Sequence, residues 1–451
     1  MKDLRNNSMR ICLIWELCAQ LVVAFSTWTI IKASATAVGE NPKDALIYLA
    51  IFVICLTVVF LPNALARLNL IKWKFESFRS YVDRFSKIHS GRQILARNNF
   101  RCRTEPWLTS EARNVFDDTC ETLYQMFSTF LNSAVNILVV GLILDPAVIG
   151  YYVVATLILF VVHRGSKPYI ARKAASAQSC RNTFVETLLA GFVNIINPTK
   201  IFQKNWTKSF EKSYHELIKS ESRYSIASSL VSFVGTISAL SIICLGVGIF
   251  LFTHTDSPAL FVGMLVTIPR QVQIIQSGFY FFGLSVHWSG MRERLKSLES
   301  ESLSSIQVNV EEDIKFPTIQ LYSNNTNQVI SDFSTLLSMT SKPGRYTLRG
   351  PNGCGKSTLL ALFSESLKDK KIVFLPTIVN QLFAQTSGPI SNSSGKTMLT
   401  ILESIVDQKD IEVLLLDEWD ANLDDSNINQ IDKELSELAQ RVSVVEIRHR
   451  D

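Results

Sequence analysis

The stretch Arg345–Phe363, RYTLRGPNGCGKSTLLALF, decides how the rest of the chain is read. It meets G-x-x-x-x-G-K-[ST] at every fixed position, through Gly350, Gly355, Lys356 and Ser357. The context is the one such a loop requires, because the strand-forming RYTL leads in and the helix-forming TLLALFSESL leads out. Gly353 and Gly355 let the backbone curl so that its N–H groups point at phosphate oxygens, and the helix adds its positive N-terminal end. The spacing predicts a nucleoside triphosphate site built on Gly350, Asn352, Gly353, Cys354, Gly355, Lys356, Ser357 and Thr358. In it Lys356 reaches the β- and γ-phosphates, and Ser357 places a hydroxyl on Mg²⁺. Cys354 reads as a free thiol near the nucleotide.

The surrounding sequence is of another kind. Of 451 residues, 47% are hydrophobic and only 19% charged, and the mean hydropathy of +0.18 leans toward membrane. Eight cysteines lie scattered with no C-x-x-C pair, which argues against a disulfide framework and a zinc site. No small-residue cleavage site follows the first apolar run, so a cleaved signal peptide is not expected.

A helix needs about 20 largely apolar residues to cross a bilayer. Six stretches qualify: Ile11–Ile31, Ala45–Leu65, Thr122–Leu144, Ala147–His163, Ile226–Phe252 and Ala259–Trp288. Eleven Lys or Arg lie between spans two and three, and eleven more between spans four and five, whereas DP and THTDSP after spans three and five carry none. The positive-inside rule then places the N-terminus, both long connections and the C-terminal region in the cytoplasm. The charge follows membrane sidedness, so nucleic acid is not expected as a partner. The long connections carry apolar residues at helical spacing and read as membrane helices continuing into the cytoplasm, broken at Ser90–Gly91 and near Asn197–Pro198.

Downstream, IEVLLLDEWDANLD (Ile411–Asp424) reads as an apolar strand ending in two carboxylates. Asp417 is the candidate Mg²⁺ ligand, and Glu418 the residue that polarises the water attacking the γ-phosphate.

With these motifs the chain resembles an ATP-binding cassette transporter of the exporter type, over nearly its whole length. The resemblance implies an α-helical membrane domain of six spans (1–300), a linker (301–312) and an α/β phosphate-loop domain (313–451). It implies that Ala421–Asp424 is the loop after the catalytic glutamate, that His449 in VSVVEIRHR senses the γ-phosphate, and that Tyr322 stacks on adenine. Ser90–Asn99 and Phe184–Asn197 correspond to the coupling helices. The signature loop departs from the family form: its counterpart is Asn392–Lys396, NSSGK, where Ser394 and Gly395 would face the γ-phosphate. The usual glutamine near Thr377 is absent, with Gln381 a weak substitute. The helical subdomain is trimmed, and Trp419 replaces the usual proline.

The expectation is an ATP-hydrolysing exporter with ATP and Mg²⁺ as cofactors, a homodimer in a bilayer such as a bacterial inner membrane. Import by the same fold and a nucleotide-gated channel or sensor are the alternatives. In the sixth span Arg270, Gln273 and Ser277 share a face. Arg270 is expected either to pair with Glu16 of the first span or to line the translocation cavity and meet an anionic group on the substrate.

Overall fold

The computed structural model describes residues 2–39, 41–96, 108, 111–302, 314–323, 326–367, 370–376, 401, 411–421 and 423–448. The chain divides into two compact units, one of residues 1–82 with 110–298, the other of 83–109 with 299–451.

The first unit is helical. Asn6 caps α1 (Asn7–Val38), its side chain accepting from the Met9 N–H at 2.9 Å. Then follow α2 (Pro42–Val58), α3 (Phe60–His89), α4 (Ala112–Ile143), α5 (Ala147–Leu189), the short α6 (Gly191–Ile196), α7 (Lys200–Thr253) and α8 (Pro258–Ser302). Among the described residues six helical runs are long and apolar enough to cross a membrane. Their apolar side chains mostly face outward, as Leu46, Phe60, Leu142 and Phe252 do. In water such a surface would be unfavourable by about 25 cal/mol per Å², so its solvent is lipid. α5 with α7 is the most extensive helix pairing.

The helices run well past the apolar spans, and α3 stops where Gly91 takes a φ of 76°, which a residue with a Cβ adopts only under strain. α6 ends at Asn197, whose extended backbone precedes Pro198. α8 runs unbroken across Pro269, so the proline does not interrupt the sixth span.

In the second unit six strands form one sheet: β1 (Gln320–Ser323), β2 (Thr326–Val329), β3 (Gly344–Arg349), β4 (Ile372–Leu375), β5 (Val413–Asp417) and β6 (Ser443–Ile447). Their order is β2-β1-β3-β6-β5-β4. β1 runs antiparallel to β2 and β3, and β3, β6, β5 and β4 are parallel. Helices α9 (Phe333–Met339), α10 (Lys356–Ser366) and α11 (Asp425–Leu438) join it. Parallel strands covered on both faces should be continuously apolar, and β5 (VLLLD) is, apart from its final carboxylate. One core joins Leu348, Leu359, Leu360, Phe363, Leu415 and Val445; a second, including Leu414, Leu416, Ile431, Leu435 and Val444, packs α11 on the sheet.

Candidate phosphate-binding site

The loop Gly350–Gly355 bridges the end of β3 and the start of α10. Gly353 and Gly355 both take left-handed backbone, φ 76° and 94°, which turns successive N–H groups to one side. Gly350 is fixed by space: a Cβ there would lie 2.8 Å from the Thr318 carbonyl oxygen and 3.0 Å from Cys354 Sγ. The loop is tied down by the Lys315 N–H donating to the Cys354 carbonyl at 3.0 Å and the Cys354 N–H donating to that of Pro351 at 3.3 Å.

Cys354 is a free cysteine within the loop. Its side chain is buried in the sheet–helix core, as a small hydrophobe in an apolar cluster. Thr358 is likewise buried in α10.

Lys356 curls over the loop, its Nζ donating to the carbonyl oxygens of Gly350 at 2.6 Å and Pro351 at 3.2 Å. Ser357 Oγ donates to Asp417 Oδ1 at 2.8 Å, across 60 residues of sequence. The start of α10 and the end of β5 therefore bring together a hydroxyl and a carboxylate, the hard oxygen donors that Mg²⁺ takes alongside phosphate oxygens. Burial pushes the Asp417 carboxyl above its ordinary range, and the Glu418 charge adds to this; the Ser357 hydrogen bond and Lys356 act in the opposite sense.

Glu418 turns the chain off β5 with a φ of 47°, the one positive φ of a non-glycine among the described residues. Such a backbone costs on the order of 1 kcal/mol or more and persists only where its surroundings enforce it. The next residue shows what does so. Trp419 is buried, and its Nε1–H donates to Glu446 Oε2 at 2.9 Å. Glu446, on β6, is 1% exposed and is met by Arg345 through Nε at 2.9 Å and Nη2 at 3.0 Å, and by the Thr347 hydroxyl at 2.9 Å. Arg448 contacts Glu446 and Asp432, its guanidinium stacked 5.3 Å from the Trp419 ring centre. Reading motifs alone misses this cluster, although a lone glutamate inside the apolar strand SVVEI is the signal that could have found it.

Tyr322 lies on β1 opposite Thr347 of β3, with the Arg349 guanidinium over its ring at 4.8 Å. Ala421 begins the turn after β5, its N–H donating to the Glu418 carbonyl at 3.2 Å, and Asp424 caps α11 through the Asn427 N–H at 2.9 Å. Ser394, Gly395, His449 and Gln381 lie outside the described residues.

Of the two stretches matched to coupling helices, Gln93–Ala96 forms a 3₁₀ turn in which Ile94 is buried against Ala361 and Leu362 of α10. The Ile94 N–H donates to Glu365 Oε1 at 3.2 Å. The other ends in α6, which exposes Phe192, Val193, Ile195 and Ile196.

In the first unit Arg270 finds neutral partners. Asn136 Oδ1 accepts from its Nε at 3.1 Å and Nη2 at 3.0 Å, and Gln273 and Asn132 complete its shell. Glu16 is held instead by the Tyr124 hydroxyl at 2.6 Å and by Gln20 at 2.8 Å. The Arg270–Glu16 ion pair is thus replaced by two separate clusters, because α4 supplies amide acceptors nearer to Arg270.

No family model matches this sequence, and no curated protein matches it. Among solved structures, a bacterial Atm1-family ABC exporter with ATP bound superposes with a TM-score of 0.58 over 98% of this chain and 91% of that one, at 13% identity. At that identity the likeness is one of fold: six membrane-length helices followed by a sheet-containing unit.

Proposed function

We propose that this chain is an ATP-driven membrane exporter that works as a pair of identical subunits. The observation that carries the reading is the 2.8 Å contact between Ser357 and Asp417 at the mouth of a glycine loop, in a chain with an exporter's fold. The Gly350–Gly355 N–H groups and the start of α10 hold the β- and γ-phosphates, and Lys356 leaves its loop carbonyls to meet them. Ser357 and Asp417 hold Mg²⁺, which when bound neutralises charge developing on the phosphate oxygens. Glu418, projected off the end of β5, orients and deprotonates the attacking water. Tyr322, backed by Arg349, offers a flat face to the base. Ser394 and Gly395 of a second copy complete the phosphate site, and His449 senses the γ-phosphate.

The exposed α6 tip supports the reading of a second copy. Phe192, Val193, Ile195 and Ile196 leave an apolar surface that a partner's nucleotide-binding unit would cover. The N-terminus and the nucleotide-binding unit face the cytoplasm, with the six spans in a membrane such as a bacterial inner membrane.

The test is steady-state ATP hydrolysis by the full-length protein in nanodiscs. Glu418→Gln is expected to bind ATP normally and hydrolyse it at least about 10²-fold more slowly, whereas Lys356→Ala should lose protection by ATP in a thermal melt. A wild-type chain that binds ATP without turnover would favour a nucleotide-gated channel, and hydrolysis undiminished in Glu418→Gln would remove the assigned base.

A further inference from the structure

The cytoplasmic extensions of α5 and α7 enclose a cleft of about 470 Å³ that the transport reading leaves without a role. Arg172 and Lys173 enter it from α5, Lys219 and Arg223 from α7. Glu216 is the single carboxylate on its lining. The nearby Glu221 does not offset these charges, because it pairs with Arg181 at 2.5 Å. Arg172 Nε donates to the Pro168 carbonyl at 3.3 Å, which fixes the arm and leaves the outer guanidinium nitrogens directed elsewhere. Ser176 and Ser220 meet across the two helices at 3.4 Å, so hydroxyls join the cations on the wall.

Four cations around one small cleft repel one another, and one carboxylate offsets a quarter of that charge. Lys204, Lys208 and Lys212 lie on α7 outside the cleft; Arg172, Lys219 and Arg223 are exposed as well and differ in where they converge. Here the charge converges from two helices onto a concave surface, with guanidinium forks that match phosphate oxygens. The depth is also informative. Arg223 lies three residues before the apolar span that begins at Ile226, about 5 Å along the helix axis. Arg223, at the membrane end of the cleft, is thus within the headgroup layer, which adds roughly 5–8 Å to each side of the hydrocarbon core. The cleft continues outward from it, with Lys219 about 10 Å and Arg172 about 14 Å from their apolar spans.

We infer that this cleft binds a phosphate group, presented by the headgroup of an anionic phospholipid whose tails lie against the α5–α7 surface. The inference rests on the six spans and is independent of the nucleotide reading. A soluble phosphomonoester carries the same chemistry and is the other source to be distinguished.

The test uses full-length protein in mixed micelles, with melting temperature followed during titration. One arm adds phosphatidylglycerol to phosphatidylcholine micelles; the other adds glycerol phosphate to micelles of phosphatidylcholine alone. Three variants are compared with wild type: R172Q/K219Q/R223Q, the charge-matched K204Q/K208Q/K212Q, and the charge-retaining R172K/K219R/R223K. Each basic group near an anionic headgroup contributes about a fivefold gain in binding, so the first variant should bind phosphatidylglycerol on the order of 100-fold more weakly. The other two should titrate close to wild type. A loss confined to the first variant in the lipid arm establishes the headgroup, and one confined to it in the glycerol phosphate arm establishes a soluble ligand. Any binding of glycerol phosphate at the glycine loop is common to all the chains. If the first variant does not fold, Arg223→Gln alone carries the comparison, with about a fivefold loss expected. Equal weakening in the first two variants, or none in the first, overturns the site.

Discussion

The Trp419 indole donates to Glu446 Oε2 at 2.9 Å, and through that bond the residue after the candidate catalytic carboxylate is fastened to the centre of the sheet. Glu446 also takes both guanidinium contacts from Arg345, so the strained turn at Glu418 leans on a buried charge cluster joining β3, β5, β6 and α11. Removing the carboxylate leaves Asp432 as the one remaining carboxylate partner of Arg345 and Arg448 among the described contacts. Glu446→Ala should therefore destabilise the second unit by roughly 3–5 kcal/mol. Trp419→Phe removes the indole N–H together with one ring of a buried bicycle, for roughly 2–4 kcal/mol. Thermal melts of the full-length protein check both, and an unchanged melt for Glu446→Ala would show that the cluster holds nothing in place.

The Asp417 carboxyl, raised from its ordinary 3.8 first by burial and then by Glu418, binds its proton more tightly folded than unfolded. Its contribution to stability is therefore most favourable at low pH and declines as pH rises from about 3.8 through the raised value. Asp417→Asn removes that decline. The variant is expected to melt at or above the wild-type temperature at pH 7, yet to lose Mg²⁺-dependent protection by ATP. In the wild type, metal and proton compete for the same oxygen, so Mg²⁺ affinity should weaken on acidification toward the raised value. A variant that melts lower and still responds to Mg²⁺–ATP contradicts both parts.

Arg270 rests on Asn136, a fully buried amide that also accepts from the Thr27 hydroxyl at 3.1 Å. Asn136→Leu leaves the guanidinium short of its principal acceptor and should cost about 1.5–3 kcal/mol, read as a lower melting temperature in detergent. Glu16→Gln should have no restoring effect on Arg270→Met, since Glu16 is engaged by Tyr124 and Gln20. Arg270→Met should also lose substrate-stimulated hydrolysis while basal hydrolysis persists, if the side chain meets an anionic substrate. Restoration by Glu16→Gln would reinstate the ion pair.

What could be read from the sequence follows the range of the interactions involved. The spans are visible because lipid demands runs of apolar residues, and the glycine loop because backbone geometry dictates its spacing. The Ser357–Asp417 contact was implied by two motifs whose residues are individually conspicuous. Arg270 was harder. Opposite charge singles out Glu16, but which residue sits opposite is set by how α4 lies against α8, and that places Asn132 beside Ser277 and Gln125 beside Tyr280. The Glu446 cluster depends on the parallel register that puts Thr347 beside Glu446, a relation between strands about 100 residues apart that no local pattern encodes. The burial of Cys354 is likewise not legible, because its place in the loop says nothing about which way its side chain points.

The contact of Ile94 with α10 yields the last prediction. Its side chain is 1% exposed against Ala361 and Leu362, and its N–H is held by Glu365 Oε1, on the helix that begins at the glycine loop. A displacement of α10 on nucleotide binding therefore reaches the 93–96 turn by direct packing, and that turn continues into α3 through Gly91. Ile94→Ala removes most of a buried side chain and should cost about 2–5 kcal/mol at that contact. Because the candidate phosphate site is untouched, ATP affinity should change little, while substrate stimulation of hydrolysis in nanodiscs should fall severalfold. Glu365→Gln keeps the helix and an amide oxygen able to accept from the Ile94 N–H, and so should retain most of the stimulation. If Ile94→Ala lowers basal and stimulated hydrolysis in equal proportion, the turn serves only stability and the coupling must run elsewhere.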